Sequence, residues 1–161
     1  VGFIKGPILP LLKDKSKKHD YLLTSEIKFD AAHRLSNYKG KCSQIHGHTY
    51  RVIVTIKSNK LNSWGAIMDF GELKKILKTH IGDKYDHKTI LMFKDNENQI
   101  IGRVLNKDGI VWTSSNPTAE NMARDIWNDL IPVFNIIINI KLVKVTVYET
   151  ATNAVTYQNE K

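Results

Sequence analysis

Cysteine is almost absent from this chain. Cys42 stands alone among 161 residues, so neither an intramolecular disulfide framework nor a zinc site of the four-cysteine or two-cysteine, two-histidine kind is available. A solitary thiol fits a reducing compartment, and a cytoplasmic location is the expectation. Long apolar runs are missing as well. The longest, Ile131–Ile140, is interrupted by Pro132, Asn135 and Asn139 and falls short of the ~20 residues that span a bilayer, so no membrane partner is expected. Residues 1–12 contain Gly2, Gly6, Pro7 and Pro10 but neither a basic leader nor a small-residue cleavage site, which argues against a secretory signal. Acidic residues are outnumbered, 16 against 24 basic, and the formal charge of +8 suits either a solvated basic surface or a polyanionic ligand. The cluster Lys13, Lys15, Lys17, Lys18 has no interleaved aromatics on which bases stack, so nucleic acid is not the expected polyanion.

The length predicts one domain. Residues 1–20 read as an N-terminal extension, and patterned sequence begins at Tyr21. Leu23, Ser25, Ile27 and Phe29 alternate with Leu22, Thr24, Glu26 and Lys28, predicting a half-buried strand that leads into Ala31, Ala32 and His33. A loop at 37–41 precedes a second strand from about Gly47 to Lys57, with Tyr50, Val52, Val54 and Ile56 on one face. Between Ile67 and Lys84 the period changes to helical, with Asp69 as cap and Gly82 as stop. The polar stretch 92–115 suggests a small hairpin, Ile100–Leu105 with Gly109–Trp112. Thr118 caps a second helix carrying Met122, Ile126, Trp127 and Leu130, which Pro132 is expected to end. Two strands, Ile137–Thr150 and Ala154–Gln158, close the chain around a turn at 151–153. The order ββααββ predicts an α+β domain: an antiparallel four-stranded sheet with two helices on one face. Its open edges invite pairing with further copies.

The histidine pattern carries the chemistry. His46 and His48 stand at i and i+2, so their imidazoles leave the same face of a strand, and Gly47 between them allows close backbone approach. His33, at the end of the neighbouring strand, supplies a third nitrogen and completes the three-histidine set of a catalytic metal site, or each imidazole is an ordinary hydrogen-bonded residue. All-nitrogen ligation favours zinc over magnesium or calcium. Cys42 reads as a small buried hydrophobe or, in its polar loop, as a thiolate base or nucleophile. Asp86-His87 reads as capping or as a proton relay. Glu149 reads as a cross-strand ion-pair partner or as a carboxylate accepting two N–H bonds from a heterocycle edge.

Taken together, Phe29-Asp30-Ala31-Ala32-His33-Arg34-Leu35, Cys42-Ser43-Gln44-Ile45-His46-Gly47-His48, Met68-Asp69-Phe70, Asp86-His87, Pro117-Thr118-Ala119-Glu120-Asn121 and Tyr148-Glu149-Thr150 resemble the 6-pyruvoyltetrahydropterin synthase family over residues 21–158. The resemblance implies the T-fold for the single domain 21–161, with sheets joined edge to edge into trimeric barrels that stack as hexamers and share active sites. It implies Zn2+ on His33, His46 and His48, Cys42 as proton-abstracting thiolate, Asp86 and His87 as its relay from a neighbouring subunit, Glu149 as pterin anchor, and Thr118 with Glu120 near the pterin. The spacing Cys-x-x-x-His-Gly-His is similar to the 6-carboxytetrahydropterin synthases of the queuosine pathway; the animal pyruvoyl-forming enzymes have a longer gap. A third branch, serving folate synthesis, has Glu in place of this Cys, and Cys42 argues against it. The implied reaction is zinc-dependent conversion of 7,8-dihydroneopterin triphosphate to 6-carboxy-5,6,7,8-tetrahydropterin. The alternatives are the pyruvoyl product and a non-catalytic metal- or pterin-binding module. Two segments depart from the family pattern: residues 1–20 have no counterpart, and 92–115 is longer than in compact members.

Overall fold

The computed structural model describes residues 20–158, so all but Asp20 of the expected N-terminal extension lies outside the described residues. Strands β1 (Tyr21–His33) and β2 (His46–Ser58) pair antiparallel along their whole length, from Tyr21 opposite Ser58 to His33 opposite His46. The alternation in β1 translates directly into faces: Phe29, Ala31 and His33 are buried while Leu22, Thr24, Glu26, Lys28 and Asp30 are exposed. In β2 the residues Tyr50, Val52, Val54 and Ile56 are all fully buried, as expected of one side of a pleat.

The sheet has six strands rather than four, in the order β4-β3-β1-β2-β5-β6. Beyond the four expected strands stand β3 (Lys88–Met92), which was not expected, and β4 (Ile110–Thr113), which nearly coincides with the expected hairpin arm Gly109–Trp112; they are parallel to each other, and β3 is parallel to β1. With only five residues, β3 is too short for periodicity to announce it. The hairpin expected between Ile100 and Trp112 is therefore incorrect. Parallel neighbours need a crossover connection, and a helix over Asn96–Val104 supplies it, with the Asp95 carboxylate accepting from the Asn98 N–H at its start. A Cβ at Gly102 would lie 2.6 Å from the Trp112 indole, so the glycine lets the helix lie on that ring.

Helix α1 (Phe70–Leu77) starts where expected, with Asp69 accepting from the backbone N–H of Gly71 and Glu72. Gly82 does not stop it. The chain runs through one wide helical turn, Lys78–Gly82, into the short α2 (Asp83–Tyr85), because Ile81 and Tyr85 are both buried and only a continued turn sends both inward. The crossover helix is thus α3 (Asn96–Val104), and α4 (Ala119–Asn135) contains Pro132 rather than ending at it. Pro132 falls in the last turn and forfeits one backbone bond there, a loss outweighed by full burial of Leu130 and Phe134 on either side. Strand β5 (Lys141–Tyr148) starts later than the predicted Ile137, since Asn139 adopts φ 65° and turns the chain. Strand β6 (Ala154–Gln158) follows the expected short turn and pairs antiparallel with β5.

Helices α1 and α4 cover one face of the sheet, and the apolar side chains between them form one cluster from Leu73 and Ile126 to Val145 and Val147. The consequence for function is positional. The histidine ends of β1 and β2 leave this core at one end of the sheet, held by the register of a long antiparallel pair. No described helix is long and apolar enough to cross a membrane.

Candidate active site

Register assembles the histidines. His33 pairs directly with His46, Ala31 pairs with His48, and residues two apart on a strand share a face. The three imidazoles meet with ring centroids 4.5, 5.0 and 5.1 Å apart. Gly47 faces a tight backbone, since a Cβ there would sit 3.3 Å from the Ala31 carbonyl oxygen; a side chain would push the two strands apart.

Two backbone carbonyls set the tautomers. His33 Nδ1 lies 2.8 Å from the Pro117 carbonyl oxygen and His46 Nδ1 lies 2.9 Å from that of Gln44. A carbonyl only accepts, so each Nδ1 carries the proton and each Nε2 presents a lone pair. These two Nε2 atoms face each other at 3.1 Å. His48 Nε2 is buried with no hydrogen-bond partner, and one ligand nitrogen from each ring falls within 4.8 Å of the others. Glu149 Oε1 lies 3.4 Å from His33 Nε2 and 3.9 Å from His48 Nε2. Burial above all, with the neighbouring His46 and His48, holds the His33 pKa below its ordinary 6.5, so the ring is neutral and the Glu149 approach is not an ion pair. Lone pairs converging beside a carboxylate repel one another unless a cation sits among them. The donor set therefore fits a divalent metal ion, and nitrogen ligands favour zinc among the common ones.

Five of the predicted residues share one pocket. His33, Cys42, Thr118, Glu120 and Glu149 line a cavity of about 290 Å³ closed by Leu35, Ala119 and Val155. Cys42 is half-buried on a single tight turn, Lys41–Ser43, and its carbonyl accepts from the Leu35 N–H at 2.8 Å. Thr118 caps α4 through the Asn121 N–H, and Glu120 stands exposed in the first turn. Glu149 directly follows β5, with its N–H bonded to the Asn153 carbonyl.

Asp86 and His87 are elsewhere. They follow α2, where His87 borders a separate cavity with Asp30, Ala32, Gly47, Thr49 and also His48. The Asp30 N–H donates to Asp86 Oδ1 at 3.0 Å, and the His87 N–H donates to the Asp30 carbonyl at 2.7 Å. These bonds hold His87 at φ 56°, a left-handed conformation that costs a non-glycine residue roughly 1–2 kcal/mol. The result is an imidazole 83% exposed, 3.8 Å from its own Asp86 carboxylate and outside the Cys42 pocket.

Sequence reasoning missed the carbonyls of Pro117 and Gln44, which leave no signature in side-chain identity. It also gave no role to Tyr50, whose buried hydroxyl lacks a partner and whose ring meets those of His33 and His48 edge-on. Burial, and then the Glu149 charge, push the Tyr50 pKa upward, so it stays a neutral phenol.

Comparison with known proteins agrees with this geometry. Residues 22–160 match the model of the family described as 6-pyruvoyl tetrahydropterin synthase. The chain is 38% identical over 130 residues to the 6-carboxy-5,6,7,8-tetrahydropterin synthase of Rickettsia typhi, covering 79% of this chain and 92% of that one. It is 34% identical over 149 residues to the 6-pyruvoyl tetrahydrobiopterin synthase of Dictyostelium discoideum, covering 86% and 96%. The solved structure of the Caenorhabditis elegans 6-pyruvoyl tetrahydropterin synthase superposes with a TM-score of 0.65 at 26% identity, over 89% of this chain and 99% of that one. With the motif order, the fold and the three-histidine cluster all in agreement, the chain belongs to the 6-pyruvoyl tetrahydropterin synthase family.

Proposed function

We propose that this chain is a zinc-dependent lyase that converts 7,8-dihydroneopterin triphosphate and water to 6-carboxy-5,6,7,8-tetrahydropterin, triphosphate and acetaldehyde, a step of queuosine-type 7-deazapurine synthesis in the cytoplasm. The observation that carries this reading is the common pocket: a thiol, a metal-ready imidazole and a carboxylate line one small cavity. The Rickettsia typhi relative, named for this product and matched over nearly its whole length, supports the choice.

In this reading His33, His46 and His48 hold the zinc, whose Lewis acidity, when it is bound, polarises the substrate side-chain hydroxyls and eases loss of the adjacent protons. Cys42, as thiolate, takes a proton from the side-chain carbon next to the ring. Glu149 accepts the neighbouring ring N–H and exocyclic amino donors of the pterin, a paired contact that only a carboxylate satisfies with two oxygens. Thr118 and Glu120 border the same space at the start of α4. Asp86 and His87 act on a second copy's pocket, because their own imidazole faces outward. That arrangement calls for a closed homo-oligomer, a trimer or hexamer with sheets joined into a barrel, and the outer edges of β4 and β6 have no strand beside them among the described residues. The surplus of basic residues suits a triphosphate substrate.

A second reading, 6-pyruvoyltetrahydropterin as product, is favoured by the longer match to the Dictyostelium discoideum enzyme, 149 residues against 130. Mass spectrometry of the product separates the readings, since the carboxy product has lost two carbons and the pyruvoyl product has lost none. The expected outcome is the carboxy product with acetaldehyde. A pyruvoyl product moves the assignment to the second reading, and pterin binding without turnover leaves only a binding module.

A further inference from the structure

The segment 92–115 holds the Cys42 loop through a buried guanidinium. Arg34, next to the metal-site residue His33, is almost wholly buried, and its donors reach one backbone carbonyl of the Cys42 loop and three side chains at the start of α3. Nε donates to the Ser43 carbonyl at 2.9 Å, immediately after Cys42. Nη1 donates to Asn98 Oδ1 at 3.0 Å and lies 3.4 Å from Asp95 Oδ1, while Nη2 meets Glu97 Oε2 at 2.5 Å. Asn98 on α3 is fully buried and donates in turn to Ser36 Oγ and to the Met92 carbonyl, each at 3.0 Å. Asp95 Oδ1 also accepts the Asn98 N–H at 2.8 Å, so one carboxylate oxygen both starts α3 and faces the arginine.

The loop's other bonds are local or to Leu35: the Ser43 hydroxyl and N–H both donate to the Gly40 carbonyl, and the Leu35 N–H to that of Cys42. A cavity of about 890 Å³ lies against the loop, bordered by Tyr38, Ser43, Gln44, Asp95 and Glu97, so the Arg34 bond reaches Ser43 at the edge of an open space. The same network continues inward. Ser36 N–H donates to Asn116 Oδ1 at 2.7 Å and Asn116 Nδ2 donates to the Ser36 carbonyl at 2.9 Å, next to Pro117, whose carbonyl orients His33. A guanidinium donates from three nitrogens set apart in a rigid fork, so it reaches a carbonyl, an amide and a carboxylate that lie apart, whereas the three donors of an ammonium leave one nitrogen. We propose that Arg34 and Asn98 are positioning residues that latch α3 to the Cys42 loop and so fix the thiol in the pocket it shares with His33.

This rests on the role given to Cys42 above, and the test keeps the two apart. Arg34→Lys preserves charge against Asp95 and Glu97 but removes the fork; Asn98→Ala cuts the latch from the helix; Glu97→Gln trims only an exposed arm and leaves the fold safe. The measurements are hydrogen exchange of the Leu35 amide, which donates to the Cys42 carbonyl, the rate of Cys42 alkylation by iodoacetamide, metal content, and kcat and KM on dihydroneopterin triphosphate. Arg34→Lys and Asn98→Ala are expected to keep the metal, to raise exchange and alkylation about tenfold, and to lower kcat roughly 10- to 100-fold at unchanged KM, as small misplacements of a reacting group do. Glu97→Gln should move exchange and alkylation the same way by less. Folded Arg34→Lys and Asn98→Ala proteins with wild-type exchange, alkylation and kcat, differing only in melting temperature, overturn the proposal. If neither folds, Glu97→Gln decides: faster exchange and alkylation support the latch and wild-type values overturn it. If Cys42→Ala retains full turnover, the role of Cys42 fails, while exchange and alkylation still report the latch.

Discussion

The two ends of the candidate machinery are built in opposite ways. At the tips of β1 and β2 every imidazole points inward, two are fixed by backbone carbonyls, and Cys42 and Glu149 border the same pocket. At the end of α2 the backbone is equally well tied, by both bonds to Asp30, yet the tie turns His87 outward at a conformational cost. Strain held in place by two specific bonds is a feature the surrounding structure maintains. The contrast is between a pocket lined within one chain and an exposed imidazole outside it; under the proposed function that imidazole serves a second copy.

Substitutions separate the halves, and the largest effect belongs to the inward one. His46→Ala should lose its metal and its turnover together, with affinity falling by more than the 10- to 100-fold that outer partners of a ligand cost, whereas His87→Ala should keep a full metal complement. Elemental analysis of both proteins checks this, and equal metal in the two would erase the distinction. Cys42→Ala should retain metal and fold but lose turnover by ~10²–10⁴, the range for a general acid–base group. Single-turnover assays on metal-replete protein measure it, and a loss of only a few-fold would return Cys42 to a packing role.

Smaller effects sharpen the inward half. Glu149→Gln should weaken a simple pterin lacking the phosphorylated side chain by about 1.5–3 kcal/mol, roughly ten- to a hundredfold in affinity, the worth of a charge-assisted pair. Its metal content should not change, because three imidazoles remain. Titration calorimetry with wild type alongside reads both the contact and its independence from the metal. The smallest effect concerns protons. His33 resists protonation in the folded chain, chiefly through burial, so below pH 6.5 the unfolded chain binds a proton that the folded one does not. The stability from this group is therefore present above pH 6.5 and lost as pH falls through the lowered folded value. Metal-stripped protein should unfold at lower denaturant at pH 5.5 than at pH 7.5, and His33→Gln should flatten that dependence.

Much of the inward half was legible in the chain, because strict period-two alternation fixes which residues of β1 and β2 share a face, and with it the meeting of His33, His46 and His48. Asp69 and Thr118 announced their helices through side-chain capping. The losses have physical reasons. Lys88–Met92 is too short to show a period, and Ile110–Thr113, expected as a hairpin arm, pairs in parallel with it instead, which leaves no turn to mark the pairing. Gly102 and Pro132, both breakers by propensity, sit inside helices because contact with Trp112 and burial of Phe134 outweigh propensity. Arg34 lay within a recognised motif without a role, since its partners on α3 are about sixty residues away.

The direct test of a divided site is complementation between its halves. Cys42→Ala and His87→Ala chains, each inactive alone, are mixed in equal amounts, dissociated and reassembled, and turnover of dihydroneopterin triphosphate is measured. Random reassembly gives one pocket in four both intact halves, so activity should recover to about a quarter of wild type, in an oligomer by light scattering. Turnover no greater than that of the separate parents, or full wild-type turnover by a monomer, would contradict the shared site.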